Sequence, residues 1–275
     1  MNGPRRSILF YRNSLIAVLS LVITFGMFLF STWKWSSLLW LIPLTLLNSL
    51  IWTAYHSIHP RRRALPRLTP ADYDLEYQEI SFHSRDGLQI AAWYVPSKNR
   101  AAIILVHGAG GAKVTMLNHA RMLGVEGYGL LMLDLRAHGD SEGDTITGVY
   151  EADDVLGAVD YLRSRPELSP DQIGALGVSL GALVVLQAAR QIPAIRSIVL
   201  ESIGPACLDD HGGRPTTLRR WINYPFNWFN YALGDFMAEV HLKEGVRAGL
   251  KRLARRPVML ISTGRGMEIY FNRLF

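Results

Sequence analysis

At 275 residues the chain has room for one catalytic domain and an appendage. Its formal charge of +6 would suit a nucleic-acid ligand, but the distribution of charge excludes one. Residues 1–70 hold eight Lys and Arg and no acidic residue, which leaves 21 basic against 23 acidic residues in the remainder. A remainder this close to neutral has no broad basic face for a phosphate backbone, so no nucleic acid is expected as a partner.

The basic N-terminal segment reads as a membrane anchor. Asn13 to Trp33 and Trp35 to Tyr55 are each 21 positions without a charged side chain. About 20 apolar residues suffice for a helix to cross the hydrocarbon layer. The sequence therefore predicts a transmembrane helical hairpin over residues 1–56, with spans at about 14–33 and 35–55. Lys34 between Trp33 and Trp35 fits its tip, because indole rings favour the membrane–water interface. Pro43 and Asn48 weaken the second span. Arg5, Arg6 and Arg12 precede the first span, and Arg61, Arg62, Arg63 and Arg67 follow the second. The positive-inside tendency places both termini and the following domain in the cytoplasm. Cys207 is the single cysteine and forms no intrachain disulfide, which agrees with a reducing compartment. A cleaved signal peptide is the competing reading. It is opposed by the second apolar run and by the lack of a small-x-small cleavage site between the two.

Residues 57–76 are polar, basic and proline-punctuated, and read as a linker. From there to residue 275 the texture is that of a domain. Tyr77–His83 and Leu88–Val95 are β-prone runs around the turn dipeptide Asp86-Gly87. Ala101–Val106 is continuously apolar and suits a strand buried on both faces. A helix is expected over about Met116–Leu123, a strand over Gly129–Leu133 and a helix over about Glu151–Arg163. The last of these sets Val155, Ala158, Val159 and Leu162 on one face and turns Asp153, Asp154 and Asp160 away. A strand over Ile173–Val178, a helix over about Ala182–Gln191, and strands over Ile195–Glu201 and Pro257–Ser262 complete the pattern. Such alternation implies a mostly parallel sheet with helices on both faces. An excursion at about 203–250 crowds Trp221, Tyr224, Phe226, Trp228, Phe229, Tyr231 and Phe236 together. It reads either as a lid over a site or as an aromatic-packed insertion.

Gly177-Val178-Ser179-Leu180-Gly181 fits G-x-S-x-G, and it stands between a strand and a helix. A sharp turn there presents the serine hydroxyl at the edge of the sheet, and the helix N-terminus favours developing negative charge. Gly139-Asp140-Ser141-Glu142-Gly143 fits the same pattern, but no apolar helix follows it. Ser179 is therefore the expected nucleophile. Two backbone N–H groups are expected to hold the oxyanion. One is that of Leu180; the other comes from the loop His107-Gly108-Ala109-Gly110-Gly111, with Ala109 first and Gly110 second.

The motifs HGAGG, LDLRAHGDSEG and GVSLG, following the third, fourth and fifth strands, resemble the α/β-hydrolase superfamily. The likeness is greatest to its serine-aminopeptidase-like and lysophospholipase-like esterase branch, over about Tyr77 to the C-terminus. The resemblance implies an eight-stranded sheet, a Ser–acid–His triad in that chain order, and hydrolysis of an acyl ester, thioester or amide with no metal or cofactor. It places the acid at Glu268, after the seventh strand, with Glu201 as the alternative. No histidine follows His241, and neither His241 nor His211 stands where the family's base falls. His107 and His138 read as structural hydrogen-bonders. The chain is accordingly expected to be a truncated piece, with the last strand, its helix and the catalytic histidine beyond Phe275. The rival expectation is a membrane-tethered binding or scaffold protein without catalysis.

Overall fold

The computed structural model describes residues 38–207, 245–253 and 256–262, with isolated positions at 20, 21, 210, 228, 229, 232, 233 and 236. The chain divides into two units: Met1–His59 with Pro215–His241, and Pro60–Arg214 with Leu242–Phe275. In the first unit, helix α1 spans Leu38–Ile58 with Pro43 in its second turn. Thr53 and Ser57 donate their hydroxyls to the Ser49 and Ala54 carbonyls, at 2.7 Å each, so neither polar group is left unmet. Among the described residues no helix is long and apolar enough to cross a membrane. The predicted span 14–33 lies outside the described residues apart from Ser20 and Leu21.

Among the described residues the second unit is built on a seven-stranded sheet. Its strands are β1 (Gln78–His83), β2 (Gln89–Val95), β3 (Ala102–Val106), β4 (Gly129–Leu133), β5 (Ile173–Val178), β6 (Ile195–Glu201) and β7 (Val258–Ile261). Their order is β1-β2-β4-β3-β5-β6-β7. The β1–β2 and β2–β4 pairs are antiparallel, and the other four are parallel. The apolar runs become the central strands, because only a strand covered on both faces can bury every side chain. All five residues of β4 are buried.

Helices α2 (Leu117–Val125), α3 (Ala152–Arg163), α4 (Leu180–Gln191) and α5 (Val246–Arg252) cover the sheet. The last three pack on the face that carries Ile104, Leu133 and Ile198. α2 packs on the opposite face with Trp93, Leu105 and Met132. Burying a side chain such as Leu105 contributes about 2 kcal/mol. At the β7 edge, Met259 and Ile261 are 59% and 37% exposed, while Val258 and Leu260 pack against the core. Asp210 joins the two ends of the excursion: its Oδ2 accepts the N–H groups of Ala206 at 2.7 Å and Val246 at 3.0 Å. Trp221, Tyr224, Phe226 and Tyr231 lie outside the described residues.

The structure departs from the sequence reading at Asp154, which is fully buried on α3 rather than turned away. Arg136 reaches it from the loop after β4, with Nη2 at 2.6 Å and the backbone N–H at 2.9 Å. The same guanidinium holds Asp86 of the β1–β2 turn at 2.7 Å. Burial pushes the Asp154 carboxyl upward while Arg136 opposes it. Helical periodicity scores hydrophobicity alone and does not register a charge delivered from another segment.

Candidate active site

β5 delivers Ser179 to the first turn of α4 with φ 53° and ψ −112°, a conformation that L residues rarely adopt. Such strain costs on the order of 1–3 kcal/mol and persists only where neighbours over-determine it. The neighbours here are glycines. A Cβ on Gly177 would stand 2.2 Å from the Gly181 carbonyl oxygen, and one on Gly181 would stand 2.3 Å from that of Val106. Strand and helix thus meet at a separation that no larger residue permits. The Ser179 N–H donates to the Glu201 carbonyl at 2.8 Å, and its own carbonyl accepts the Ala182 N–H at 3.1 Å. The side chain is exposed, and its hydroxyl has no hydrogen-bond partner among the described residues.

The loop after β3 lies against this serine. A Cβ on Gly108 would meet Ser179 Cβ at 3.3 Å. Gly110 donates its N–H to His138 Nε2 at 3.1 Å, which removes it as an oxyanion donor. The N–H groups of Ala109 and Leu180 have no acceptor among the described residues, and Ala109 is exposed.

His107 and His138 stiffen the loop. His107 Nε2 accepts the Leu135 N–H at 3.0 Å, so its proton sits on Nδ1, which donates to the Gly108 carbonyl at 2.8 Å. His138 Nδ1 likewise donates to the Arg136 carbonyl at 3.0 Å. Both rings have their two nitrogens engaged. Burial lowers both pKa values, that of His107 to about 4. A histidine depressed in the fold contributes stability that is complete above its unfolded pKa and is lost as the pH falls toward its folded value. The loss grows with each unit that the pH falls below 6.5 toward the folded value. Urea unfolding should therefore show stability declining from pH 6.5 downward, and His107→Gln should flatten the decline between pH 6.5 and 5. A variant with an unchanged pH slope would refute this account.

Ser141, in the second G-x-S-x-G, is 1% exposed. It donates to the Asp134 carbonyl at 2.7 Å and accepts the Ala91 N–H at 2.8 Å. Its hydroxyl ties the loop after β4 to β2. Nearby, Lys113 Nζ bridges Asp134 at 2.7 Å and Asp140 at 2.6 Å.

Of the two candidate acids, Glu268 lies outside the described residues, as do His211 and His241. Glu201 ends β6 beside the serine turn, where its carboxylate accepts a hydrogen bond from His119 Nε2 at 2.9 Å. His119 Nδ1 is buried and has no partner among the described residues. The sequence reading passed over His119, since nothing about its position in α2 marks it. It passed over Arg62 as well. In the stretch read as a linker, Arg62 donates to the carbonyls of Gly139, Ser141 and Gly143.

The family model of the alpha/beta hydrolase fold matches residues 101–243, just over half of the chain. Relatives include the uncharacterized protein YfhR of Salmonella typhimurium, 31% identical over 151 residues, which are 49% of this chain and 50% of that protein. The thiohydrolase aneE of Aspergillus aculeatus is 28% identical over 137 residues, 48% of this chain and 43% of the relative. The chain spans about half the length of the curated relatives it matches. Among solved structures, the esterase Pf2001 of Pyrococcus furiosus superposes with a TM-score of 0.55 at 26% identity, covering 75% of this chain and 89% of the esterase. With the family model covering more than half of its length, the chain belongs to the alpha/beta hydrolase fold family.

Proposed function

We propose that the protein is a membrane-anchored serine hydrolase that cleaves an acyl ester, thioester or amide. One observation carries the reading: Ser179 holds a left-handed backbone conformation with an exposed hydroxyl, beside the backbone N–H groups of Leu180 and Ala109, and among the described residues none of the three has a partner. Ser179 Oγ attacks the acyl carbonyl. The Leu180 and Ala109 N–H groups receive the negative charge that develops on oxygen, at about 3 kcal/mol each. A histidine takes the serine proton and returns it to the leaving group. Glu268 orients that histidine. Glu201 is the weaker candidate because His119 already holds its carboxylate.

The esterase and thiohydrolase among the similar proteins support acyl transfer to water as the reaction class. In this reading the apolar N-terminal segment, residues 1–56, keeps the domain at the cytoplasmic face of a bilayer. There it meets small-molecule or lipidic acyl substrates. A second reading, a tethered binding module without catalysis, draws on the same free hydroxyl, since no base touches it among the described residues.

Fluorophosphonate labelling of the full-length protein with peptide mapping separates the two. The serine-hydrolase reading expects an adduct on Ser179; no adduct would favour the binding module, and an adduct elsewhere would remove Ser179 as the nucleophile.

A further inference from the structure

The basic stretch before β1 does more than join segments. Arg62 is fixed by three carbonyls of the loop after β4: Gly139, Ser141 at 2.6 Å and Gly143 at 3.5 Å. Fixing residue 62 sets where its neighbour goes. The Arg63 guanidinium lies on Gly110, where a Cβ would meet Nε at 3.3 Å and Cζ at 3.4 Å. Gly110 is a firm platform, with φ +70° and its N–H held by His138. Two residues back along the same loop, Gly108 packs on Ser179. A positive charge therefore stands on the crest of the loop that flanks the serine.

Arg63 is exposed and has no acidic partner among the described residues. Two carboxylates of the β4 loop are already engaged: Asp134 by Lys113 and by two backbone N–H groups, and Asp140 by Lys113. A guanidinium fork matches carboxylates, sulfonates and phosphates with two parallel hydrogen bonds. Its nearness to the serine means that an acyl group bound in the site can carry such an anion to it.

We infer that Arg63, held in place by Arg62, is a specificity-determining residue that selects acyl substrates bearing an anionic group. The inference rests on the serine-hydrolase reading and adds a substrate class to it. The anion can stand on the acyl or on the leaving side of the scissile bond, so the test has an arm for each.

The full-length protein is assayed on p-nitrophenyl butyrate, which is neutral, on mono-p-nitrophenyl glutarate, with a carboxylate on the acyl side, and on 4-butyryloxybenzenesulfonate, with a sulfonate on the leaving side. The readout is the ratio of kcat/KM on an anionic ester to that on the neutral one. Arg63→Gln should lower one of the two ratios about tenfold at low salt, chiefly through KM, with the affected arm naming the side. Arg63→Lys should restore part of it. Arg67→Gln, from the same basic stretch, should keep the wild-type ratios. A parallel fall on all three esters, or a ratio change under about twofold, would overturn the inference.

A second readout does not need turnover. Inorganic phosphate should slow phenylglyoxal modification of Arg63 roughly threefold more than that of Arg61 and Arg67, read by peptide mass spectrometry. Equal protection of all three marks an adventitious ion only and refutes the site. If no ester is hydrolysed the serine-hydrolase reading fails, and the protection ratio alone then decides whether Arg63 is an anion site.

Discussion

Ser179→Ala is expected to reduce ester hydrolysis by the full-length protein about 10⁴-fold or more and to abolish fluorophosphonate labelling. The magnitude follows from the role: without the hydroxyl there is no acyl-enzyme, and only binding and the oxyanion donors remain. The informative comparison is Ser141→Ala, since both serines sit in the same five-residue pattern. Ser141 is buried and its hydroxyl makes two hydrogen bonds, to the Asp134 carbonyl and from the Ala91 N–H. Removing it leaves a part-buried N–H and a buried carbonyl short of a partner, a loss of about 2 kcal/mol in stability. Labelling at residue 179 should survive that change. Steady-state kinetics and intact-mass labelling of the two variants read both outcomes. Turnover by Ser179→Ala within tenfold of the wild type would remove the serine from the mechanism.

The contrast between these two serines also shows what a sequence can carry. The serine in the strand–turn–helix setting was distinguishable because its surroundings are local: an apolar strand, two glycines and an apolar helix occupy adjacent positions. The seven strands were legible for the same reason, as runs of buried side chains bounded by turns. The missed features all join distant segments. Asp154 reads as a surface residue of an amphipathic helix until Arg136, 18 residues earlier, is folded against it. His119 and Glu201 are 82 positions apart, and Arg62 and Ser141 are 79 apart. No periodicity encodes such pairs. They exist because the parallel topology brings the strand ends and the loops that follow them to one edge of the sheet.

That edge is held to close tolerances, and Gly181→Ala should expose them. The added Cβ would lie 2.3 Å from the Val106 carbonyl oxygen and 2.6 Å from that of His107. Neither atom can retreat cheaply. Val106 is paired with Leu133 on one side and Gly177 on the other, and the His107 ring is clamped between the Leu135 N–H and the Gly108 carbonyl. Relief therefore requires α4 to move off the sheet by about an ångström, which carries Ser179 and the Leu180 N–H away from the loop at 107–111. Overpacking of a rigid core costs about 1–3 kcal/mol, and contact with backbone on two sides puts this site at or above the upper limit. At about 2–4 °C per kcal/mol for a domain of this size, the expected fall in Tm is about 10 °C. Activity should drop by more than the stability loss implies, because a displacement near 1 Å at a catalytic group alone costs about 10²-fold. Gly204→Ala is the matched control, since a Cβ there meets nothing within 4 Å. Calorimetry and probe labelling on the two variants decide the matter. If Gly181→Ala melts within 2 °C of the wild type and labels at the same rate, the close approach of helix and strand is not what holds Ser179 in its strained conformation.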